Sequence, residues 1–153
     1  MEQFLKTASS EETFLLGEKI GQNLKGGEVV CLYGELGAGK TVLAKGLGQG
    51  LGVKGEITSP TFTLIQEYNI ETNGLQFIHM DLYRLRFPEE AEVIGVSDYF
   101  REDCICLLEW PGIIEDILPE DRLEIGIEGS GDLPRSIRLS YHGKWTQILD
   151  SIL

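Results

Sequence analysis

The chain is poor in positive charge, in cysteine and in histidine, and no long apolar run interrupts it. Thirteen lysines and arginines stand against twenty-five acids, a net charge of −12. That is the wrong sign for a protein that grips nucleic acid through its phosphates. The acid excess fits either plain solubility or a surface that docks on a basic protein, so any role near RNA is expected to be indirect. No stretch approaches the roughly 20 apolar residues that a membrane span needs. The opening Met1–Lys6 has no basic patch leading into an apolar core, so no secretory leader is expected and a cytoplasmic location is favoured. Cys31, Cys104 and Cys106 form an odd and sparse set, each inside an apolar run where a reduced thiol acts as a small hydrophobe. Cys104 and Cys106 would share a strand face, but no histidine or third cysteine stands near them at ligand spacing, and a structural role is expected.

What is present describes a globular chain. At 153 residues and 42% hydrophobic content, one domain spanning residues 1–153 is expected. Ser9-x-x-Glu12 is a capping box that opens a helix carrying Phe14, Leu16, Ile20 and Leu24, closed by Gly26-Gly27. Val29–Tyr33 reads as a buried strand, and Leu43, Ala44, Leu47 and Leu51 mark one face of a following helix, weakened by Gly46, Gly48 and Gly50. Phe62–Asn69 and Leu75–Asp81 are expected to pair across Asn73-Gly74, a strong hairpin signal. Pro88–Ile94 predicts a short helix, Cys104–Leu108 a second buried strand, and Arg122–Glu128 with Ser136–Tyr141 a further hairpin; Trp145–Leu153 predicts a closing helix. Together these predict a three-layer α/β domain on a mixed sheet that includes antiparallel strands.

Between the first buried strand and the second helix lies Gly34-Glu35-Leu36-Gly37-Ala38-Gly39-Lys40-Thr41, the G-x-x-x-x-G-K-[ST] pattern of a P-loop. The pattern has a physical reason. Backbone N–H groups must turn inward around phosphate oxygens, and a Cβ at those glycines would clash or forbid the required φ. Lys40 supplies charge to the terminal phosphates, the Thr41 hydroxyl can ligate Mg²⁺, and the helix N-terminus favours the same anion. A second glycine-rich match, Gly50 to Gly55, follows a helix instead of a strand and reads as the helix exit.

P-loop enzymes also need a carboxylate at a neighbouring strand end. Glu109 ends one apolar run and Asp81 another. Thr58, Ser59 and Thr61 occupy the loop leaving the P-loop helix, the position of switch loops that sense a terminal phosphate, which marks Thr61 as a candidate nucleotide contact. His79 alternates with Phe77 and Asp81 on one strand face and reads as a structural histidine, with support of Asp81 as the lesser alternative; Trp110 either shapes the site or packs. No Asn-Lys-x-Asp guanine reader occurs, which favours ATP over GTP.

Four motifs in order, Gly34–Thr41, Thr58-Ser-Pro-Thr-Phe-Thr63, His79-Met-Asp-Leu-Tyr-Arg84 and Leu108-Glu-Trp-Pro111, closely resemble the bacterial TsaE family over nearly the whole chain. The resemblance implies a small Mg²⁺-dependent P-loop ATPase that supports threonylcarbamoyladenosine formation in tRNA by acting on a TsaB–TsaD complex, which performs the transfer itself. It implies that Gly34, Gly37, Ala38, Gly39, Lys40, Thr41 and Val42 hold the phosphates, that Thr41 and Glu109 ligate Mg²⁺, and that Asp81 assists hydrolysis or the metal shell. Ser10 and Arg135 would approach the base. Two other functions fit the residues alone. One is a small-molecule kinase, with Asp81-x-Tyr83-Arg84 placing an acceptor hydroxyl; the other is a nucleotide-gated binding module without hydrolysis.

Overall fold

A computed structural model describes residues 1–58, 60, 64–70 and 73–153. Their strands are β1 (Glu2–Thr7), β2 (Val29–Tyr33), β3 (Ile65–Asn69), β4 (Gln76–Asp81), β5 (Cys104–Glu109), β6 (Leu123–Glu128) and β7 (Arg135–Ser140). They form one seven-stranded sheet in the order β1-β7-β6-β2-β5-β4-β3. The central strands β4, β5, β2 and β6 run parallel. Antiparallel pairing adds β3 on one side and β7 with β1 on the other. The helices are α1 (Ser10–Gln22), α2 (Lys40–Leu51), α3 (Pro88–Val93) and α4 (Trp145–Asp150), with 3₁₀ segments at Val96–Tyr99 and Pro111–Ile117.

Alternation along the buried strands separates two cores. Val30 and Leu32 of β2 and Ile105 and Leu107 of β5 join Leu16, Ile20, Leu43, Leu47, Trp145 and Leu149 on the face covered by α1, α2 and α4. Val29 and Cys31, with Cys104, Cys106 and Leu108, point the other way, onto Ala91, Val96 and Ile114. The three cysteines are free and buried there as small apolar groups. Helices thus cover both faces of a mixed sheet, the three-layer arrangement expected.

The Ser9 half of the expected capping box of α1 forms, Glu12 N–H donating to Ser9 Oγ at 3.2 Å, while the Glu12 carboxylate accepts one residue earlier than the box requires, from Ala8 N–H at 2.6 Å. The β3–β4 hairpin also forms, although Phe62 and Thr63 of its expected first strand lie outside the described residues. Boundaries move by a few residues elsewhere: α1 ends at Gln22 with Asn23 as its cap, before Gly26, and α4 ends at Asp150. Gly52, φ 86°, closes α2, so the Gly50–Gly55 match is a helix exit. Strand β1 is not anticipated by the sequence. Phe4 points outward with 73% exposure, so the segment lacks the apolar alternation of a half-buried strand, and pairing with β7 makes it one.

The glycines that weaken α2 on propensity have a packing role. A Cβ added at Gly46 would stand 2.1 Å from Phe14 O, and one at Gly50 2.2 Å from Glu18 O; from α1, Gly17 and Gly21 would meet Leu43 O at 2.5 Å and Leu47 O at 2.3 Å. Two i, i+4 glycine pairs therefore let the backbones of α1 and α2 touch. This contact ties the P-loop helix to its neighbour and so fixes where its N-terminus lies above the sheet. Among the described residues no helix is long and apolar enough to cross a membrane.

Candidate functional site

Strand β2 pairs with β5 on one side and β6 on the other, both in parallel, so its C-terminal end lies at the crevice where an open α/β sheet receives ligands. The segment leaving it is Gly34–Gly39. Gly37 and Gly39 have φ of 83° and 109°, in the left-handed region. Gly34 is required for another reason: a Cβ there would come within 2.8 Å of Ile127 O on β6. Gly39 caps α2 without any side-chain hydrogen bond, which leaves the first-turn N–H groups of Lys40, Thr41 and Val42 to an incoming anion.

Lys40 is buried, and its Nζ has no hydrogen-bond partner among the described residues. It lies 3.9 Å from the centroid of the Trp110 ring, which tempers the charge without neutralising it. Burial holds the ammonium below its ordinary pKa, while Glu109, Asp81 and Glu35 push the other way. An orphaned buried cation beneath an uncapped helix start fits a phosphate group.

The two strand-ending carboxylates meet beside it. Asp81 and Glu109 are register partners at the ends of β4 and β5, held together by Leu82 N–H donating to Glu109 O at 3.0 Å. Alternation places both on the α2 face. The Asp81 Oδ1 accepts from Tyr83 N–H at 3.0 Å. Burial raises its pKa above the ordinary carboxylate value, the Tyr83 bond lowers it, and the charge of Glu109 raises it again. Glu109 is buried and accepts at Oε2 from His79 Nε2–H at 2.7 Å. The histidine's partner is thus Glu109 and not Asp81. The Glu109 carboxylate and the Thr41 hydroxyl in the first turn of α2 are oxygen donors of the kind a hard cation such as Mg²⁺ takes.

Around this centre stand residues that the sequence marks less clearly. Trp110, at φ 56° and ψ 51°, adopts a left-handed conformation rare for a bulky side chain, and its ring packs on Tyr83 at 5.0 Å between centroids. That backbone turn is what lays the indole over Lys40, so the aromatic shapes the site. Arg135, at the head of β7, donates through Nε to Ala38 O at 2.8 Å and through a terminal nitrogen to Gly131 O at 3.1 Å. It therefore braces the outer rim of the P-loop. Ser10 is the exposed first residue of α1. Thr61 lies outside the described residues. A cleft of about 1010 Å³ opens beside the loop, lined by Tyr33, Gly34, Leu36, Trp110, Ser130 and Arg138 among others.

The link between His79 and Glu109 escapes a sequence reading. The two residues are 30 positions apart and meet only through the β4–β5 register. Parity does show that both face the same side, and that is the one signal available beforehand.

Comparison with known proteins identifies the family and the fold. A family described as "Threonylcarbamoyl adenosine biosynthesis protein TsaE" matches residues 7–137. The tRNA threonylcarbamoyladenosine biosynthesis protein TsaE of Bacillus subtilis (strain 168) is 40% identical over 144 residues, 94% of this chain and 89% of its own length. The Haemophilus influenzae protein of the same description is 49% identical over 111 residues, covering 72% and 68%. The crystal structure of YdiB from Bacillus subtilis matches with a TM-score of 0.80 at 35% identity, over 99% of this chain and 94% of that one.

Proposed function

This chain belongs to the TsaE family of tRNA threonylcarbamoyladenosine biosynthesis, and from that premise we propose that it is a Mg²⁺-dependent ATPase whose turnover serves a TsaB–TsaD complex. The observation that carries the proposal is the buried ammonium of Lys40, without a hydrogen-bond partner among the described residues, at the uncapped start of α2 with Asp81 and Glu109 alongside. Lys40 and the N–H groups of Gly37 to Val42 bind the phosphates. Thr41 and Glu109 hold Mg²⁺, which when bound neutralises phosphate charge and favours the terminal bond's cleavage. Asp81, whose burial raises its proton affinity, accepts a hydrogen bond from the attacking water and orients it. Ser10 and Arg135 approach the nucleotide base from α1 and the start of β7, and Thr61 is a further candidate contact.

The nucleotide is ATP, since the chain has no Asn-Lys-x-Asp guanine reader. The net charge of −12 suits a protein that docks on its partner complex in the cytoplasm and reaches tRNA only through it. Residues 1–153 act in this as one domain.

The test is phosphate release from ATP, with and without TsaB–TsaD, for wild type and Lys40→Ala. Hydrolysis that rises with the partners and disappears in the variant is the expected result. Equal slow release in all four samples would sink the proposal. Phosphoryl transfer to an added metabolite without free phosphate would establish a kinase instead, and ATP binding without turnover in the full mixture a nucleotide-gated module.

A further inference from the structure

We infer that His79 is a positioning residue that holds the carboxylate of Glu109 in place for the metal, an inference that rests on the assignment of Glu109 to Mg²⁺ above. The sheet fixes the backbone of Glu109 but not its carboxylate, which can still turn about three side-chain bonds. His79 removes that freedom. Its Nε2–H donates to Glu109 Oε2 at 2.7 Å, and the two side chains are 0% and 5% exposed. A carboxylate offers only acceptors, so the hydrogen of this contact sits on Nε2. That Nδ1 is buried and has no partner among the described residues. A histidine kept for packing alone would be expected to satisfy both nitrogens. Here one has no partner among the described residues while the other is committed to the acid.

The imidazole is itself held from behind. Its ring stacks on Phe77 at 6.2 Å between centroids and 19° between planes, and Phe77 stacks on Tyr68 at 5.9 Å and 29°. The Tyr68 hydroxyl donates to Gln66 Oε1 and accepts from Thr58 N–H at 3.4 Å. A ladder of three rings from β3 to β4 thus sets the plane of the imidazole, and the carboxylate must conform to the ring. With Oε2 engaged by His79, Oε1 is the oxygen available to a metal or to its bound water. Nε2 is engaged by Glu109, so His79 reaches the metal through that carboxylate and not as a ligand from Nε2.

The experiment measures Mn²⁺ binding in the presence of ADP, by loss of the free-ion electron paramagnetic resonance signal, and ADP binding in EDTA as a separate readout. His79→Leu removes the donor. His79→Asn keeps an amide that is too short, and His79→Gln places an amide nitrogen where Nε2 stood. Leu and Asn are expected to weaken Mn²⁺ binding about 10- to 100-fold, the range seen when a group behind a metal ligand is removed, with Gln staying within about threefold of wild type. ADP binding in EDTA should be unchanged in all three. Wild-type Mn²⁺ affinity in Leu and Asn, with loss in Glu109→Gln, would reduce His79 to packing and overturn the inference while leaving the metal site intact. A loss in Gln as large as in Leu would also overturn it. No loss in Glu109→Gln would remove the metal assignment, and the inference with it. If His79→Leu fails to fold, the Gln and Asn pair, equal in polarity and different in reach, decides the matter.

Discussion

Lys40 pays a price in the free protein that a ligand can relieve. A buried ammonium without a carboxylate partner is costly, and the face of Trp110 offsets the cost only in part. Lys40→Met keeps the aliphatic stem and removes the charge. It should leave the melting temperature of the nucleotide-free protein at or above wild type while lowering ATP affinity at least tenfold, as read by calorimetric titration. Asp81 gives a pH-dependent counterpart. Its folded pKa lies above 3.8, so between that value and the folded pKa the native state holds more protons than the unfolded one. Stability from this group falls as pH rises through that window and stays reduced above it. Asp81→Asn keeps the acceptor for Tyr83 N–H, so the variant should melt higher than wild type at pH 7 and match it below 3.8, while hydrolysis is lost. The metal roles separate as well: Glu109→Gln should weaken Mg²⁺-dependent nucleotide binding more than Asp81→Asn, and the reverse order would exchange the two assignments.

Helix α2 shows how a local weakness can be a tertiary requirement. On propensity, each interior glycine costs about 1 kcal/mol relative to alanine, which would make Gly46→Ala stabilising. The Phe14 carbonyl, 2.1 Å from the Cβ that alanine would bring, reverses the sign. Gly46→Ala should destabilise by about 1–3 kcal/mol through forced separation of α1 and α2. Gly112→Ala, which meets nothing within 4 Å, should stay within about 0.5 kcal/mol of wild type in the same urea titration. Much at this scale was legible beforehand: the Ser9 cap of α1, the P-loop between strand and helix, and the Asn73-Gly74 hairpin all depend on residues close in sequence. Strand β1 was not, because its outward Phe4 breaks the alternation and its hydrogen bonds go to β7 at the far end of the chain.

Across the whole molecule, the second core is a monitor of global integrity. Cys31, Cys104 and Cys106 lie in it, and burial pushes the Cys31 thiol up to about 12 and raises the other two. None should react with a disulfide reagent at pH 8 in the native state, and all three should react in denaturant with the rate of unfolding; fast native labelling of one would reveal local opening of that face. Composition, spacing and local pattern were enough to determine the fold class, the P-loop segment between strand and helix, the two strand-ending acids and the family resemblance, because each rests on residues near one another along the chain or on charge counted without regard to place. Only the tertiary structure decided that His79 bonds to Glu109, that Trp110 covers Lys40, that Arg135 braces the P-loop rim, and that the glycines of α2 are a helix contact. These pairings join positions tens of residues apart through strand register and helix packing, which periodicity along a single segment does not encode.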